Sequence, residues 1–393
     1  MKVCVLQPDY TGSPVDYGNY DPPRNLAPWL PGHQVDNLFL RKATSYAQLM
    51  KASAQNYDIY VNLCEGYPEW DIPGFDVIWA LERLNLPFTG TTMRNFLHSK
   101  ETMKIVAHSC GVSTAPWWIV HNEAEIVSIP RFLRYPLFVK PADAGDSLGI
   151  DEHSLIHNPQ ELSARCLELL PEFNKLLVEE YIDGCEFTIL VAATETGPVA
   201  FTPFEFIFDS ADHFKTYRMK VTEHHTTNNV PVTEATLARR LQEMAIAIFL
   251  GFEAESYARI DIRSNAAAEL FFLEINCECS IFYPEGSEGS ADYILKHESM
   301  GHAGFLQLII ADGIRRHANR QKCFALRPVS SNDVGCFAAR DLPAGHTFQA
   351  PCRQSPKGNL AQRGSDLITQ RPILKGEELL LSGQWAGDGS VAG

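Results

Sequence analysis

Arg259, Asp261, Glu274 and Asn276 stand at alternate positions in two apolar stretches, Tyr257 to Arg263 and Leu270 to Asn276. Alternation with a period of two sends every second side chain to one face of a strand, so pairing of the two stretches would gather all four. Two carboxylates and an amide beside a guanidinium suit a hard cation that holds phosphates. Magnesium takes oxygen ligands and usually binds through one or two carboxylates plus phosphate oxygens. Alone, the same residues would also make an ordinary hairpin with a solvated polar face, and the decision between the two lies upstream.

Pro136 to Val139 is an apolar run that reads as a buried strand, and it ends in Lys140. An ammonium at the end of a buried strand is a point charge suited to phosphate oxygens. Small residues follow from Pro141 to Gly149, where successive amides can converge on an anion and Ser147 can add a hydroxyl. A lysine with a glycine loop is a weak signal by itself. The next strand, Leu176 to Ile182, is apolar enough in its middle to line a purine slot, and Glu186 follows where a carboxylate could take ribose hydroxyls. Glu179, Glu180 and Glu186 would otherwise be solvated carboxylates of a meander. His224 and His225 are adjacent and read as part of a loop, since neighbouring histidines rarely share one ion. Cys277 and Cys279 lack the second pair that a zinc site needs.

These residues need elements to hold them. Strands are expected at Lys2 to Gln7 and Asp58 to Leu63, with helices at Tyr46 to Asn56 and Gly74 to Leu84. Such a βαβα rhythm argues for a parallel sheet with helices on its faces. The long loop from Pro8 to Trp29 follows the first strand, where open α/β sheets bind ligands, and is expected to form a substrate lip. A helix is expected from Ser99 to Ser109, capped by Ser99 and stopped by Gly111. The chain is expected to divide into residues 1–112, 113–191, 192–319 and a small β-rich appendix at 320–393.

The 393 residues are 45% hydrophobic and 21% charged, as in a soluble globular protein of several units. A formal charge of −15 argues against nucleic acid and anionic membranes as partners. Ten cysteines without repeating spacing read as cytosolic thiols. The apolar start, Val3 to Leu6, is too short for a signal peptide, and Phe305 to Ile310 is too short to span a bilayer. A cytoplasmic location is expected.

In sequence order these pieces resemble the ATP-grasp superfamily, and within it the D-alanine–D-alanine ligase family, from about Tyr57 to Ala318. Leu84 to Thr91 is similar to the family's Gly-Ile-Pro-Tyr-Thr-Gly-Ser stretch, and Ser99 to Lys104 to its Asp-Lys helix. Gly111 to Pro116 resembles Ala-Gly-Ile-Pro-Thr-Pro. Phe138 to Gly149 resembles the phosphate loop, Val178 to Phe187 the adenine hinge, and Arg259 to Asn276 the metal hairpin. The resemblance implies an α/β (α+β) ATP-grasp fold with an N-terminal parallel α/β domain, a two-part ATP-grasp domain and a small C-terminal β module. It implies ATP and two Mg²⁺ as cofactors. Lys100, Lys140 and Ser147 would hold phosphates, Glu179 with the backbone of Glu180, Tyr181 and Ile182 would receive adenine, and Glu186 the ribose. Asp261, Glu274 and Asn276 would bind the metal, Lys220 the γ-phosphate, and Arg259 the anionic intermediate. The implied reaction joins a carboxylate to an amine through an acyl phosphate, releasing ADP and phosphate. A small-molecule kinase and a nucleotide-binding pseudoenzyme are the alternatives. Related ligases often dimerise, so a homodimer is implied too.

The departures from the family concern its substrates. After the metal Asn the family has Thr-Ser/Asn-Pro-Gly-Met, whereas here Cys277-Glu278-Cys279-Ser280-Ile281-Phe282 follows Asn276. Ser280 takes the place of the glycine whose amide helps form the oxyanion hole. The family's His-Gly pair becomes Cys64-Glu65-Gly66, and its early Glu-His/Arg-Glu-Val-Ser segment is missing. The chemistry is therefore expected to be kept and the substrates changed, with Glu65 or Glu278 anchoring an amino group. Ser287 or Ser290 would supply the hydroxyl for the acceptor carboxylate. In the tail, Val329 to Gly345 and Gln370 to Leu379 resemble the opening and closing parts of a SET domain. Neither its Asn-His pair nor a tyrosine follows Tyr293, so a degenerate docking, dimerisation or shielding module is expected there.

Overall fold

The computed structural model describes residues 1–325, apart from 12–20, 69, 146–147 and 208–228. The chain divides into two units, Met1–Arg327 and Pro328–Gly393, and the described residues belong to the first. Ser147, Lys220, His224, His225 and the SET-like segments lie outside the described residues.

The first sheet is parallel, in the order β2 (Gln34–Leu40), β1 (Lys2–Pro8), β3 (Ile59–Asn62). Its central strand β1 is buried along nearly its whole length, as a parallel strand covered on both faces must be. Helices α1 (Ser45–Ser53) and α2 (Phe75–Arg83) cover one face through Leu49, Ala52, Val77, Ala80 and Leu81. The expected alternation of strand and helix is interrupted by β2, an edge strand. Its Gln34, Asp36 and Asn37 break the apolar pattern because one long side of it meets water.

Helix α3 (Lys100–Ser109) then leads to a four-stranded antiparallel sheet, ordered β4 (Trp117–Val120), β7 (Leu176–Glu180), β5 (Leu137–Pro141), β6 (Leu155–Ile156). Ser99 caps α3, its side chain accepting from the Thr102 amide at 3.2 Å, and so fixes Lys100 at the first helical position. Helix α4 (Pro159–Leu169) covers this sheet through Leu162, Cys166 and Leu169.

The third sheet is antiparallel and contains β8 (Glu186–Thr194), β9 (Gly197–Ala200), β10 (Phe204–Phe206), β11 (Asn229–Pro231), β12 (Tyr257–Ser264) and β13 (Leu270–Asn276). Strand β12 lies between β8 and β13. One face packs on α3 and α5 (Ala235–Gly251) through Ile260, Ile262, Phe272 and Ile275. The opposite face shares a core with the first sheet and with α6 (Ser290–His297) and α7 (Gly301–Ala325). Among the described residues no helix is long and apolar enough to cross a membrane.

Candidate functional site

A cleft runs between the second and third sheets. The hairpin of β12 and β13 forms one wall, and the positions of its side chains follow from burial. Ala258, Ile260 and Ile262 enter the core, which turns Arg259, Asp261 and Arg263 to the cleft. Arg259 lies opposite Asn276 and Asp261 opposite Glu274, but Ile262 lies opposite Phe272, so Leu273 is an extra residue. This bulge lets Leu273 and Glu274 both face the cleft while Phe272 and Ile275 both stay in the core. With unbroken alternation Glu274 would share the buried face of Phe272.

Arg259 donates to both carboxylate oxygens of Asp261, at 3.2 and 3.1 Å, and the Thr188 hydroxyl donates to Oδ1 at 2.7 Å. Asn276 donates to Glu274 at 3.5 Å. Among the described residues no group of three or more His, Cys, Asp or Glu forms a closed metal site. Two cross-strand carboxylates and an amide fit an ion that completes its coordination with phosphate oxygens, which is how magnesium is commonly held.

The opposite wall carries Lys100, Lys140 and the segment from Glu179 to Ile182. Lys140 lies 2.7 Å from one oxygen of Glu179, and Lys104, buried and one turn beyond Lys100, lies 2.6 Å from the other. Burial alone would raise the Glu179 carboxyl, but the two ammoniums outweigh it and hold it at about 2. The Glu179 side chain is thus engaged by two lysines, and the polar groups this segment can offer a purine are those of its backbone. Its amides are partly used: Glu180 donates to the Pro116 carbonyl and Tyr181 to that of Pro136, each at 2.9 Å. The Glu180 carboxylate turns outward to Arg134, accepting from its amide at 3.0 Å. Phe138 and Tyr181 stack with centroids 6.1 Å apart, and the Arg263 guanidinium covers Tyr181 at 4.9 Å while donating to the Gly184 carbonyl. Glu186 begins β8, buried and 3.9 Å from Arg263. The Lys100 ammonium donates to the carbonyl of Ala144 in the glycine loop.

The remaining expected residues do not line this cleft. Ser280 donates to Glu65 at 2.6 Å, and Asn62 donates to Glu278 at 2.8 Å. Arg24, almost fully buried, lies 2.7 Å from Asp21 and 3.6 Å from Glu65, with its guanidinium 4.1 Å above the Tyr283 ring. Burial and the neighbouring Glu65 push the Glu278 carboxyl well up, against the hydrogen bond from Asn62. Among the described residues, Asp21, Glu65 and Glu278 therefore share this cluster with Arg24. Cys279 links it to the cleft, lying within electrostatic reach of Arg259 and Asp261 as well as Glu65. Ser287 closes a turn by donating its amide to Pro284, and Ser290 opens α6; neither is brought to the cleft.

Sequence reasoning missed Lys104, Arg263, Thr188 and the Asp21–Arg24 pair. Arg263 shares the parity of Arg259 and Asp261, a signal that would have found it. Arg24 lies in the expected substrate lip, but nothing local marks it as buried.

The model of the family described as "D-ala D-ala ligase C-terminus" matches residues 106–280. The chain is 27% identical over 199 residues to a protein named D-alanine–D-alanine ligase from Aquifex aeolicus, covering 50% of this chain and 64% of that one. It is 32% identical over 206 residues to one of the same name from Idiomarina loihiensis, covering 50% and 63%. The match thus spans slightly less than two thirds of these relatives' length. Among solved structures, the D-alanine–D-alanine ligase from Coxiella burnetii superposes with a TM-score of 0.60 at 18% identity, covering 83% of this chain and 97% of its own. The VanG D-Ala:D-Ser ligase from Enterococcus faecalis does so with a TM-score of 0.59 at 17% identity, covering 79% and 99%. These likenesses show a shared fold.

Proposed function

We propose that the chain is an ATP-dependent ligase of the D-alanine–D-alanine ligase-like family of ATP-grasp proteins, joining a carboxylate to an amine. The observation that carries this reading is the convergence of Lys100, Lys140, Arg259, Asp261 and Glu274 on one cleft beside the hinge. A carboxylate is a poor electrophile. One of its oxygens attacks the γ-phosphorus of ATP, ADP leaves, and the acyl phosphate presents an activated carbonyl. The amine nitrogen then attacks that carbon, a tetrahedral oxyanion forms, and phosphate departs as the nitrogen loses its proton.

Positive charge fixed in advance is what both stages require. Lys100 and Lys140 supply it along the phosphates, and Glu179 with Lys104 keeps Lys140 in place. Arg259, anchored through two bonds to Asp261, supplies it at the oxyanion. Asp261, Glu274 and Asn276 would hold magnesium, which when bound neutralises phosphate oxygens. The hinge backbone from Glu180 to Ile182 takes the purine, and Glu186 the ribose. Roles for Ser147 and Lys220 in phosphate binding are part of the proposal.

The substrates are proposed to differ from a pair of D-alanines. Glu65 and Glu278, which accept from Ser280 and Asn62, are the carboxylates that depart from the family motif, and a ligand with an ammonium group is proposed to meet them. A neighbour of the same fold is named a D-Ala:D-Ser ligase, so in that protein the acceptor is not a second alanine. The test is phosphate release from ATP over pairs of amino acids, with the product identified by mass spectrometry. Efficient formation of the D-alanine dimer would refute the changed substrates. ADP release that needs no amine would mark a kinase instead.

A further inference from the structure

The connection between β3 and α2 reaches from the acidic cluster to the glycine loop. Glu65 begins it, and its neck is closed by two glycines, with Gly66 donating to the Pro73 carbonyl and accepting from the Phe75 amide, each at 3.0 Å. A methyl group on Gly66 would lie 2.0 Å from the Ile72 oxygen, so no side chain fits there. Lys42 ties down the tip, donating to the carbonyls of Tyr67 at 2.6 Å, Pro68 at 2.9 Å and Trp70. The Tyr67 ring is wedged against Trp70 and Phe96, with centroids 4.8 and 6.3 Å away.

Held in this way, Tyr67 places its hydroxyl against Gly145. A Cβ on Gly145 would stand 2.1 Å from that oxygen and 2.7 Å from the ring carbon that bears it. Gly145 is not among the glycines of positive φ, so its backbone does not demand glycine. The contact with Tyr67 does. Beside it, Lys100 holds the carbonyl of Ala144. We infer that Tyr67 is a positioning residue that seats the glycine loop for nucleotide, acting through Gly145 from a separately anchored connection. This rests on the reading of the cleft as an ATP site.

The test is a double-mutant cycle on the full chain, reading ATP affinity with magnesium by calorimetry. Gly145→Ala should weaken ATP by at least about tenfold, because the new methyl collides with Tyr67, and Tyr67→Ala by about threefold. The pair together should bind no worse than Tyr67→Ala alone, since the collision is gone. Tyr67→Phe keeps the packing against Trp70 and Phe96, and should raise the KM for ATP with its melting temperature unchanged. Additive losses in the cycle, or a Tyr67→Phe variant altered only in melting temperature, would overturn the inference while ATP binding by the parent stands. Failure of the unaltered chain to bind ATP would remove the nucleotide reading and this inference together.

Discussion

At the scale of single residues, charge placement decides what the cleft can do. In the proposed function Arg259 stands at the oxyanion and Glu274 among the residues that would hold magnesium. Arg259→Ala and Glu274→Gln should each lower turnover by about two to three orders of magnitude, with an unchanged circular dichroism spectrum. Near-normal turnover in either variant would remove that residue from the chemistry. Lys104 acts at one remove, as a buried counter-charge to Glu179. Lys104→Met leaves that carboxylate with one ammonium in place of two and should cost about 3 kcal/mol in urea unfolding, the scale for breaking a buried pair. Glu179 titrates at about 2, below the ordinary 4.5, so its ion pairs contribute fully above about pH 4.5. That contribution is lost as pH falls toward 2, and the stability gap between the parent and Glu179→Gln should narrow over the same range. Arg259 and Asp261 were legible because a half-buried strand has a strict period. Lys104 was not, since a lysine on a helix looks solvated until the strand it meets is known.

At the scale of elements, the bulge at Leu273 is what lets this sequence present Glu274 to the cleft. It reverses the parity of β13 halfway along, so that Glu274 meets the cleft while Phe272 meets the core. Deleting Leu273 should leave plain alternation, with Phe272 and Ile275 still in the core and Glu274 still on the cleft side. The expected result is magnesium-dependent ATP binding retained by calorimetry, because Glu274 keeps its facing. A deletion variant that no longer binds ATP with magnesium would show that the bulge itself, and not only the facing of Glu274, is required. The sequence made both strands readable but not their register, because a bulge is defined against its partner. The edge strand β2 escaped for a related reason, as its polar residues face water and imitate a loop. The cap at Ser99 could be read because a cap is a purely local device.

At the scale of the whole molecule, the parallel sheet, the antiparallel sheet of β4 to β7 and the sheet of β8 to β13 place two sites side by side. One has Lys100, Lys140 and the hairpin of β12 and β13. The other, with Asp21, Glu65 and Glu278, is where the sequence departs from the family's motifs and where the proposed change of substrates would act. Its charge was only half legible: Glu65 and Glu278 stand out as departures from a motif, whereas Asp21 and Arg24 are recruited by folding of the long loop after β1. Glu65→Gln should raise the KM of the ammonium-bearing substrate by about tenfold while leaving that of ATP unchanged, in line with the weight of a hydrogen-bonded charge. An equal rise in both constants would speak against a substrate role. The most direct measurement is the stoichiometry of ADP, phosphate and product when the chain meets ATP, magnesium and pairs of amino acids. One ADP and one phosphate are expected per new amide bond, and only when both carboxylate and amine are supplied. ADP formed without the amine, or no ADP with any pair, would contradict the proposed ligation.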